Sequence, residues 1–385
     1  EQHLQPYESF SIYRYFNNLR PGYNFGGWVD NGASYLDMFA EQLWMTLFAK
    51  TPEITMWNYG AMKGTIRDTP RSWSKYKTSF DYDDMKAESA ARGVTRLTYG
   101  RVADYAFEKA DKILGRLGTP KGIKSYKPFH SVGEDFLQNY MGMIGVPVEI
   151  VPAFPENNEM VLLTETASKD PDIVAKINKH LLNGGEVVVT SGFYHAMQGK
   201  GIENICEMVY TDRKADIDTI IVPSGWWRKP YKTAVTIKIP QMTYMTNDSW
   251  EEISTLSYGN GWPLLQRNYY GAANFFVWVI PENFSHLYAL PDAVLNSLRN
   301  FVDNEIGLHI EGPSQVALFP YDNGTFVVES FRDEPVTINV VTRKSKSIKD
   351  LDSGEVIKGT NSQGERVLGR KNYEVTKYRV VVQPH

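Results

Sequence analysis

The sequence predicts an α/β protein that ends in a small antiparallel β domain, and three observations support this fold class. An apolar run, a helical pattern and a second apolar run follow one another between Tyr23 and Met62, which makes one strand–helix–strand unit. Short apolar runs and helical patterns then alternate between residues 133 and 307, as in a doubly wound, flavodoxin-like domain. From about residue 310 the apolar residues recur with a period of two, which predicts a β-sandwich.

Composition excludes several classes of function. The 385 residues allow two or three domains, and a net charge of −4 without a basic patch argues against nucleic acid as a partner. The one cysteine excludes a disulfide framework, and the seven histidines lack ligand spacing, so we predict no catalytic metal and no cofactor. No apolar run reaches the length of a membrane helix, so no membrane partner is expected.

The first elements can be assigned from their period. Residues 10–19 suit a helix, residues 60–95 are polar and predict a long loop with little helix, and residues 98–117 predict a clear helix. The chain starts on loop-like residues without an initiator Met, which indicates a fragment or a processed product. The compartment stays open between bacterial cytoplasm and periplasm.

The helices and strands after residue 133 are predicted from apolar runs and from the Gly and Pro residues that end them. Helices are predicted over 133–145, 171–183 and 292–307, a buried strand over 185–192, and two strands within 260–284. A helix around 202–208 would place Cys206 in its middle, as a buried apolar thiol. Residues 209–259 receive no assignment. The Asn323-Gly324 pair predicts a hairpin turn.

Asp30 is the first candidate for a catalytic residue, because it ends the apolar run YNFGGWVD. In a (β/α)8 barrel such strand ends form the active-site face, and a carboxylate there suits chemistry at a sugar's anomeric carbon. The alternative is a turn or helix N-cap, because Asp30-Asn31-Gly32 also suits a turn and a helix follows.

Aromatic and polar neighbours extend this candidate site. Trp28, Trp57 and Tyr59 are predicted to be platforms for sugar rings, with buried barrel aromatics as the alternative. Asn58 ends the second strand-like run beside them. Glu8 is placed in the first loop, where it could join the same rim.

The order of these pieces resembles the family-42 β-galactosidases. AEQLWMTLFAKTPEITMWNYG looks like that family's last barrel helix and eighth strand, and YNFGGWVDN falls where its seventh strand carries the nucleophile. The resemblance implies the C-terminal part of a (β/α)8 barrel over 1–125, a flavodoxin-like domain similar to class I glutamine amidotransferases over 126–309, and a β-sandwich over 310–385. It implies a glycoside hydrolase that cleaves β-linked sugars with retention, with β-galactosides among the expected substrates.

Two departures from that family shape the expectations. The family has a Glu at the end of the seventh strand, whereas this chain offers Asp30, which is one methylene shorter. The acid/base Glu follows the family's fourth strand, so it would lie on a missing barrel half, on the same precursor or on a partner chain. The resemblance also implies a homo-oligomer, commonly a trimer, in which Trp226, Trp227 and Trp262 could serve the subunit contact or lie in a core.

A second function class stays open beside the enzyme. A non-catalytic carbohydrate-binding or assembly protein could keep the same architecture, and the Asp in place of Glu favours this alternative. An amidotransferase-like enzyme is disfavoured, because the strand ends at Thr164, Glu165, Thr190 and Ser191 include no nucleophile–base pair.

Overall fold

The computed structural model describes residues 5–31, 35–56, 58–66, 79–129, 131, 133–224, 227–257, 260–343, 347–363 and 374–384. They form a mixed α/β protein that contains one large sheet. Within these residues, no helix has the length and the apolar character needed to cross a membrane.

The first part of the chain is mainly helical around two short parallel strands. Its elements are α1 (Glu8–Leu19), β1 (Gly27–Val29), α2 (Leu36–Phe48), β2 (Ile54–Met56), α3 (Tyr59–Met62), α4 (Tyr82–Ala91) and α5 (Tyr99–Leu114). Strands β1 and β2 pair in parallel, with Val29 opposite Met56, so the predicted strand–helix–strand unit is present. The predicted loop over 60–95 contains α3 and α4, and the Asp81 side chain caps α4 by accepting from the Asp84 N–H at 2.9 Å.

The middle part is built on a nine-stranded sheet. Its elements are β3 (Ile123–Tyr126), α6 (Leu137–Met143), β4 (Val148–Val151), β5 (Val161–Leu163), α7 (Ile173–Leu182), β6 (Val187–Thr190), α8 (Ser191–Met197), β7 (Met208–Ser224), β8 (Trp227–Tyr244), β9 (Ser249–Ser257), β10 (Asn260–Tyr270), β11 (Ala273–Trp278) and α9 (Asp292–Ile306). The sheet order is β4-β3-β5-β6-β11-β10-β9-β7-β8. The first five strands in that order are parallel, and numbered along the chain they run 2-1-3-4-5.

The remaining four strands of this sheet are antiparallel, and the sequence did not predict three of them. The helix expected around 202–208 is wrong, because only a single 3-10 turn forms over Ile202–Asn204 and β7 starts at Met208. Cys206 therefore lies in the connection rather than mid-helix, although it is buried as predicted. Strand β8 forms one edge of the sheet, and most of its first ten residues are exposed, so no apolar alternation marks it.

The last part is antiparallel, as the period of two predicts. Its strands are β12 (Leu308–Glu311), β13 (Val316–Pro320), β14 (Phe326–Ser330), β15 (Val336–Thr342), β16 (Ser347–Lys349), β17 (Val356–Lys358), β18 (Thr360–Gln363) and β19 (Glu374–Val382). A four-stranded sheet has the order β12-β15-β19-β18, and β13–β14 and β16–β17 form hairpins. The Asn323-Gly324 pair does lie in the first hairpin's turn, where Gly324 has φ +82°.

Buried contacts join the three parts. The rings of Tyr7, before α1, and Phe319, on β13, stack with centroids 5.3 Å apart. Arg14 on α1 donates to the Glu149 carboxylate on β4 from Nε at 3.1 Å and from Nη2 at 2.5 Å, and both side chains are buried. Helix α1 thus packs against both later parts of the chain.

Candidate active site

Asp30 lies directly after β1, at its carboxyl end, and is exposed. Because β1 and β2 are parallel, Asn58 and Tyr59 follow the carboxyl end of β2 on the same side of the pair as Asp30. The N-cap alternative for Asp30 is wrong, since α2 begins at Leu36 with Tyr35 in the N-cap position. Residues 32–34 lie outside the described part of the chain.

The two faces of β1 differ sharply. Gly27 and Val29 are buried towards helix α1, where a Cβ on Gly27 would lie 2.4 Å from ring atoms of Tyr13. Trp28 lies on the opposite face and is 53% exposed, opposite the exposed Thr55 of β2. Because side chains alternate along a strand, an extended chain carries Asp30 on the same open face as Trp28. Trp28 is thus half-exposed in the described part of the chain, and both roles predicted for it stay predictions, because the rest of a barrel would lie beyond this chain.

The predicted site residues that follow β2 differ in their surroundings. Tyr59 is 78% exposed in this chain, and the Lys63 ammonium lies 5.3 Å from its ring centroid. The Asn58 side chain caps α3 by accepting from the Ala61 N–H at 2.8 Å. Trp57 lies outside the residues that the structure describes. Asn58 thus already has a structural role, whereas Tyr59 is open to solvent.

Glu8 is not placed as predicted. It is the first residue of α1 rather than a loop residue, and it is only 3% exposed. It precedes Tyr13 by five residues, which is about 140° around the helix, so it does not share the face that contacts β1. Glu8 instead lines a cavity of about 140 Å³ with Lys127 and Asp135, whose side chains form a 2.5 Å ion pair. Asp30, Trp28 and Tyr59 thus lie at or beyond the carboxyl ends of β1 and β2, whereas Glu8 faces the middle part of the chain.

Tyr13 fixes the position of β1, and the sequence did not predict this role. Its hydroxyl donates to the backbone carbonyl of Trp28 at 3.0 Å. The Gly27 N–H donates to the Glu53 carbonyl at 2.9 Å, so the backbone groups of Trp28 face away from β2. Tyr13 therefore holds β1 from its other edge. The pair of glycines at 26–27 was the one signal that a large side chain packs closely there.

A second group of polar residues lies at the carboxyl ends of the parallel strands in the middle part. The buried Glu134 carboxylate accepts hydrogen bonds from the Glu165 N–H at 2.8 Å, the Gly192 N–H at 3.2 Å and the Thr190 hydroxyl. Burial raises the pKa of Glu134 to about 7, against the lowering effect of these hydrogen bonds. Glu134 itself occupies the crevice where open α/β sheets usually bind ligands.

Among the residues that the structure describes, this crevice contains neither a nucleophile–base pair nor a metal cluster. The Ser191 hydroxyl accepts from the Ile280 N–H at 3.0 Å, and burial raises the pKa of the Cys206 thiol. Groups of three or more potential metal ligands are absent among the residues that the structure describes.

Comparison with family models relates both ends of the chain to glycosyl hydrolases. "Probable glycosyl hydrolase, catalytic domain" matches residues 1–116, and "Probable glycosyl hydrolase, C-terminal domain" matches residues 307–385. Residues 118–283 match "Uncharacterized protein SSO3021, second domain". The comparison with curated proteins found no significant match.

Comparison with solved structures shows similarity at the level of the fold. Gan42B, a GH42 beta-galactosidase, is 12% identical with a TM-score of 0.51, and the match covers 97% of this chain and 56% of that one. The beta-galactosidase of the Antarctic haloarchaeon Halorubrum lacusprofundi is 12% identical with a TM-score of 0.49, over 99% of this chain and 56% of that one. That of Rahnella sp. R3 is 9% identical with a TM-score of 0.46, over 98% and 57%.

The chain is thus glycosyl hydrolase-like, and its predicted resemblance to the family-42 β-galactosidases is confirmed at the level of the fold. It spans a little over half the length of Gan42B.

Proposed function

We propose that this chain is the C-terminal part of a retaining glycoside hydrolase that acts on β-linked sugars, with β-galactosides as the first substrates to test. The supporting observation is the position of Asp30 at the carboxyl end of β1, next to the exposed Trp28 and level with the end of β2. The match of residues 1–116 to a glycosyl hydrolase catalytic domain supports the same assignment.

In this proposal Asp30 is the nucleophile. Its carboxylate attacks the anomeric carbon, the glycosidic C–O bond breaks, and an acid/base Glu outside this chain protonates the leaving oxygen. Water, deprotonated by that same Glu, then hydrolyses the glycosyl–Asp30 ester and releases the sugar with retained configuration. Trp28 and Tyr59 would stack on the sugar faces.

The proposed architecture has three parts: the end of a (β/α)8 barrel over 1–125, a flavodoxin-like, amidotransferase-like domain over 126–309, and a β-sandwich over 310–385. The 2-1-3-4-5 order of the parallel strands supports the second assignment. Two parallel strands cannot close a barrel, so the other strands would come from the same precursor or from a partner chain.

Substrate trapping tests the proposal on the full-length protein. Aryl β-galactosides and other aryl β-glycosides would be screened, and a 2-deoxy-2-fluoro glycoside would be used to accumulate the intermediate. We expect mass spectrometry to find the label on Asp30. Asp30→Asn should abolish turnover, whereas Asp37→Asn in the first turn of α2 should not. Turnover that persists in Asp30→Asn, or a label on another residue, would overturn the role of Asp30.

A non-catalytic carbohydrate-binding or assembly protein is the second candidate. The Asp at the position where the resembled family has Glu favours it, as does the engagement of Asn58 in a helix cap. Under this alternative the full-length protein binds sugars without turnover, and Asp30→Glu does not create activity.

A homo-oligomer, with a trimer as the first state to test, is proposed to form through the middle part. Trp227 is 81% exposed, which suits a subunit contact, whereas Trp262 packs partly against the core, and Trp226 lies outside the described residues. Light scattering on the wild type and on Trp227→Ala tests this contact.

A further inference from the structure

The first part of the chain packs on one face of the hairpin formed by β13 and β14. The Phe319 ring lies with its centroid 4.8 Å from that of Phe10 on α1 and 5.8 Å from that of Phe48 on α2. The Tyr321 hydroxyl, just after β13, donates to the Phe48 carbonyl at 3.0 Å. We call this contact the hairpin seam, and on the hairpin its apolar residues are Ala317, Phe319, Tyr321, Val327 and Phe331.

Glu329 lies on the same face of the hairpin. Side chains alternate along a strand, and Val327 and Phe331, two residues away on either side, both pack into the core that the first part shares with the hairpin. Ala317, the residue opposite Glu329 on β13, belongs to that core as well. Because Glu329 is only 7% exposed, an acidic side chain is enclosed in the seam.

The Glu329 carboxyl group lacks the partners that a buried acid needs. Neither of its oxygens has a hydrogen-bond partner among the residues that the structure describes. Buried polar groups in native proteins are nearly always hydrogen-bonded, because an unpaired one is costly. An exception at the junction of two parts of the chain therefore calls for an explanation.

The surrounding groups do not neutralise this carboxyl. The ionisable side chains that the packed elements bring to this core are Tyr7 and Arg14 at α1, Glu41 on α2, Tyr82 on α4, Tyr105 on α5 and Tyr321 after β13. Arg14, the one cation among them, is paired with the buried Glu149. Burial raises the pKa of Tyr7 and of Tyr321, so both stay neutral.

The seam therefore responds to pH in one direction. Burial raises the pKa of Glu329 to about 8, whereas a carboxyl that water reaches returns to its ordinary value of about 4.5. Below about pH 4.5 the carboxyl is neutral whether the seam is closed or open. Between about pH 4.5 and 8 only the open form ionises, so the closed seam weakens as pH rises.

We propose that Glu329 makes the hairpin seam a pH-sensitive contact, which holds the first part on the hairpin while the carboxyl is protonated and opens more often as pH rises from about 5 to 8. The other face of the hairpin does not take part, because Val316, Leu318 and Val328 pack there against the four-stranded sheet. The proposal is independent of the glycosidase assignment.

Thiol labelling of the chain with iodoacetamide tests this contact. Ala317→Cys places a reporter thiol opposite Glu329, and Val316→Cys places one on the other face of the same strand. Rates are corrected for the thiolate fraction at each pH with an unstructured peptide. We expect the corrected rate at residue 317 to rise at least tenfold from pH 6 to pH 8, and the rate at residue 316 to change less than twofold. Buried Cys206 in the middle part is the internal control.

Neutral side chains at residue 329 complete the test. Glu329→Gln should abolish the rise at residue 317, and Glu329→Met, which is apolar and of similar length, serves if the Gln variant does not fold. A rate at residue 317 that stays constant from pH 6 to pH 8 would overturn the proposal. An equal rise at residues 316 and 317, or a rise that persists in the neutral variants, would overturn it as well.

Discussion

The hydroxyl of Tyr13 on α1 is hydrogen-bonded to the carbonyl of Trp28 on β1, at 3.0 Å, and the same Tyr13 ring fills the space above Gly27. Helix α1 therefore sets the position of the short strand that ends at Asp30. Gly27 has no side chain, and the Tyr13 ring occupies the space that a side chain there would need. The two residues thus form one packing unit, although they lie in different elements.

Changes to either member of this unit should destabilise the first part of the chain. Tyr13→Phe removes one hydrogen bond, and we expect a loss of about 0.5–1.5 kcal/mol in the free energy of unfolding. Gly27→Ala forces a methyl into the Tyr13 ring, and the expected loss is about 1–3 kcal/mol. Urea denaturation measures both, with the exposed Tyr59→Phe as the unchanged control. A Gly27→Ala protein as stable as the wild type would contradict this packing.

The Arg14–Glu149 ion pair should be far more sensitive than an exposed one. Arg14→Met leaves a buried carboxylate without its cation, so we expect a loss of about 3–5 kcal/mol. Adding Glu149→Gln should restore part of it, because the uncompensated charge is gone. Lys232→Met breaks the exposed pair with Asp218 and should cost at most about 1 kcal/mol. Chemical denaturation of the four proteins gives the comparison, and equal losses at the two pairs would refute it.

Glu329 should make stability depend on pH. It lies buried on β14, burial raises its pKa to about 8, and neither carboxyl oxygen has a hydrogen-bond partner within the described residues. Below about pH 4.5 the carboxyl is neutral in both the folded and the unfolded state, so it has no effect. Between about pH 4.5 and 8 only the unfolded state ionises, so stability falls as pH rises.

Glu329→Gln removes this dependence. The variant should therefore gain stability relative to the wild type as pH rises, by a few kcal/mol at pH 9 as an order of magnitude. Thermal unfolding from pH 4 to 9 measures the difference, with the exposed Glu355→Gln as control. Parallel pH profiles for Glu329→Gln and the wild type would rule the effect out.

Glu134 should protect two backbone amides from exchange with solvent. Glu134→Ala leaves the N–H groups of Glu165 and Gly192 without their acceptor, and we expect a loss of about 1–3 kcal/mol. Hydrogen exchange followed by mass spectrometry should show faster exchange in the peptides that contain these residues. Glu134→Gln, which retains an acceptor oxygen, should show a smaller change, and unchanged exchange in Glu134→Ala would contradict the role.

Local patterns predicted the parts of the fold that depend on short stretches. The unit from β1 to β2 was predicted because each element shows its own period, and the end of β1 placed Asp30 at a strand terminus. The three strands β13, β14 and β15 were visible for the same reason.

The features that the sequence did not predict depend mainly on contacts between residues far apart in the chain. Glu134 meets Thr190, which lies 56 residues away, and nothing in the sequence around either residue indicates the pair. Glu8 was misplaced because its burial depends on how α1 lies against the segment from Ser131 to Asn139. The first half of β8 escaped prediction because most of its residues are exposed, which removes the apolar alternation that marks a half-buried strand. Strand β7 was missed although the buried Ala215 and Ile217 alternate with the exposed Asp216 and Asp218.

Strand β8 is an edge strand of the nine-stranded sheet, so it could pair with an edge strand of another chain. An eighteen-residue edge strand presents a row of backbone groups that could template another chain and begin aggregation. Pro230 and Pro240 remove donors along that row, and Lys229 and Lys238 add positive charge. We expect these four residues to oppose pairing of β8 with the edge strand of another chain.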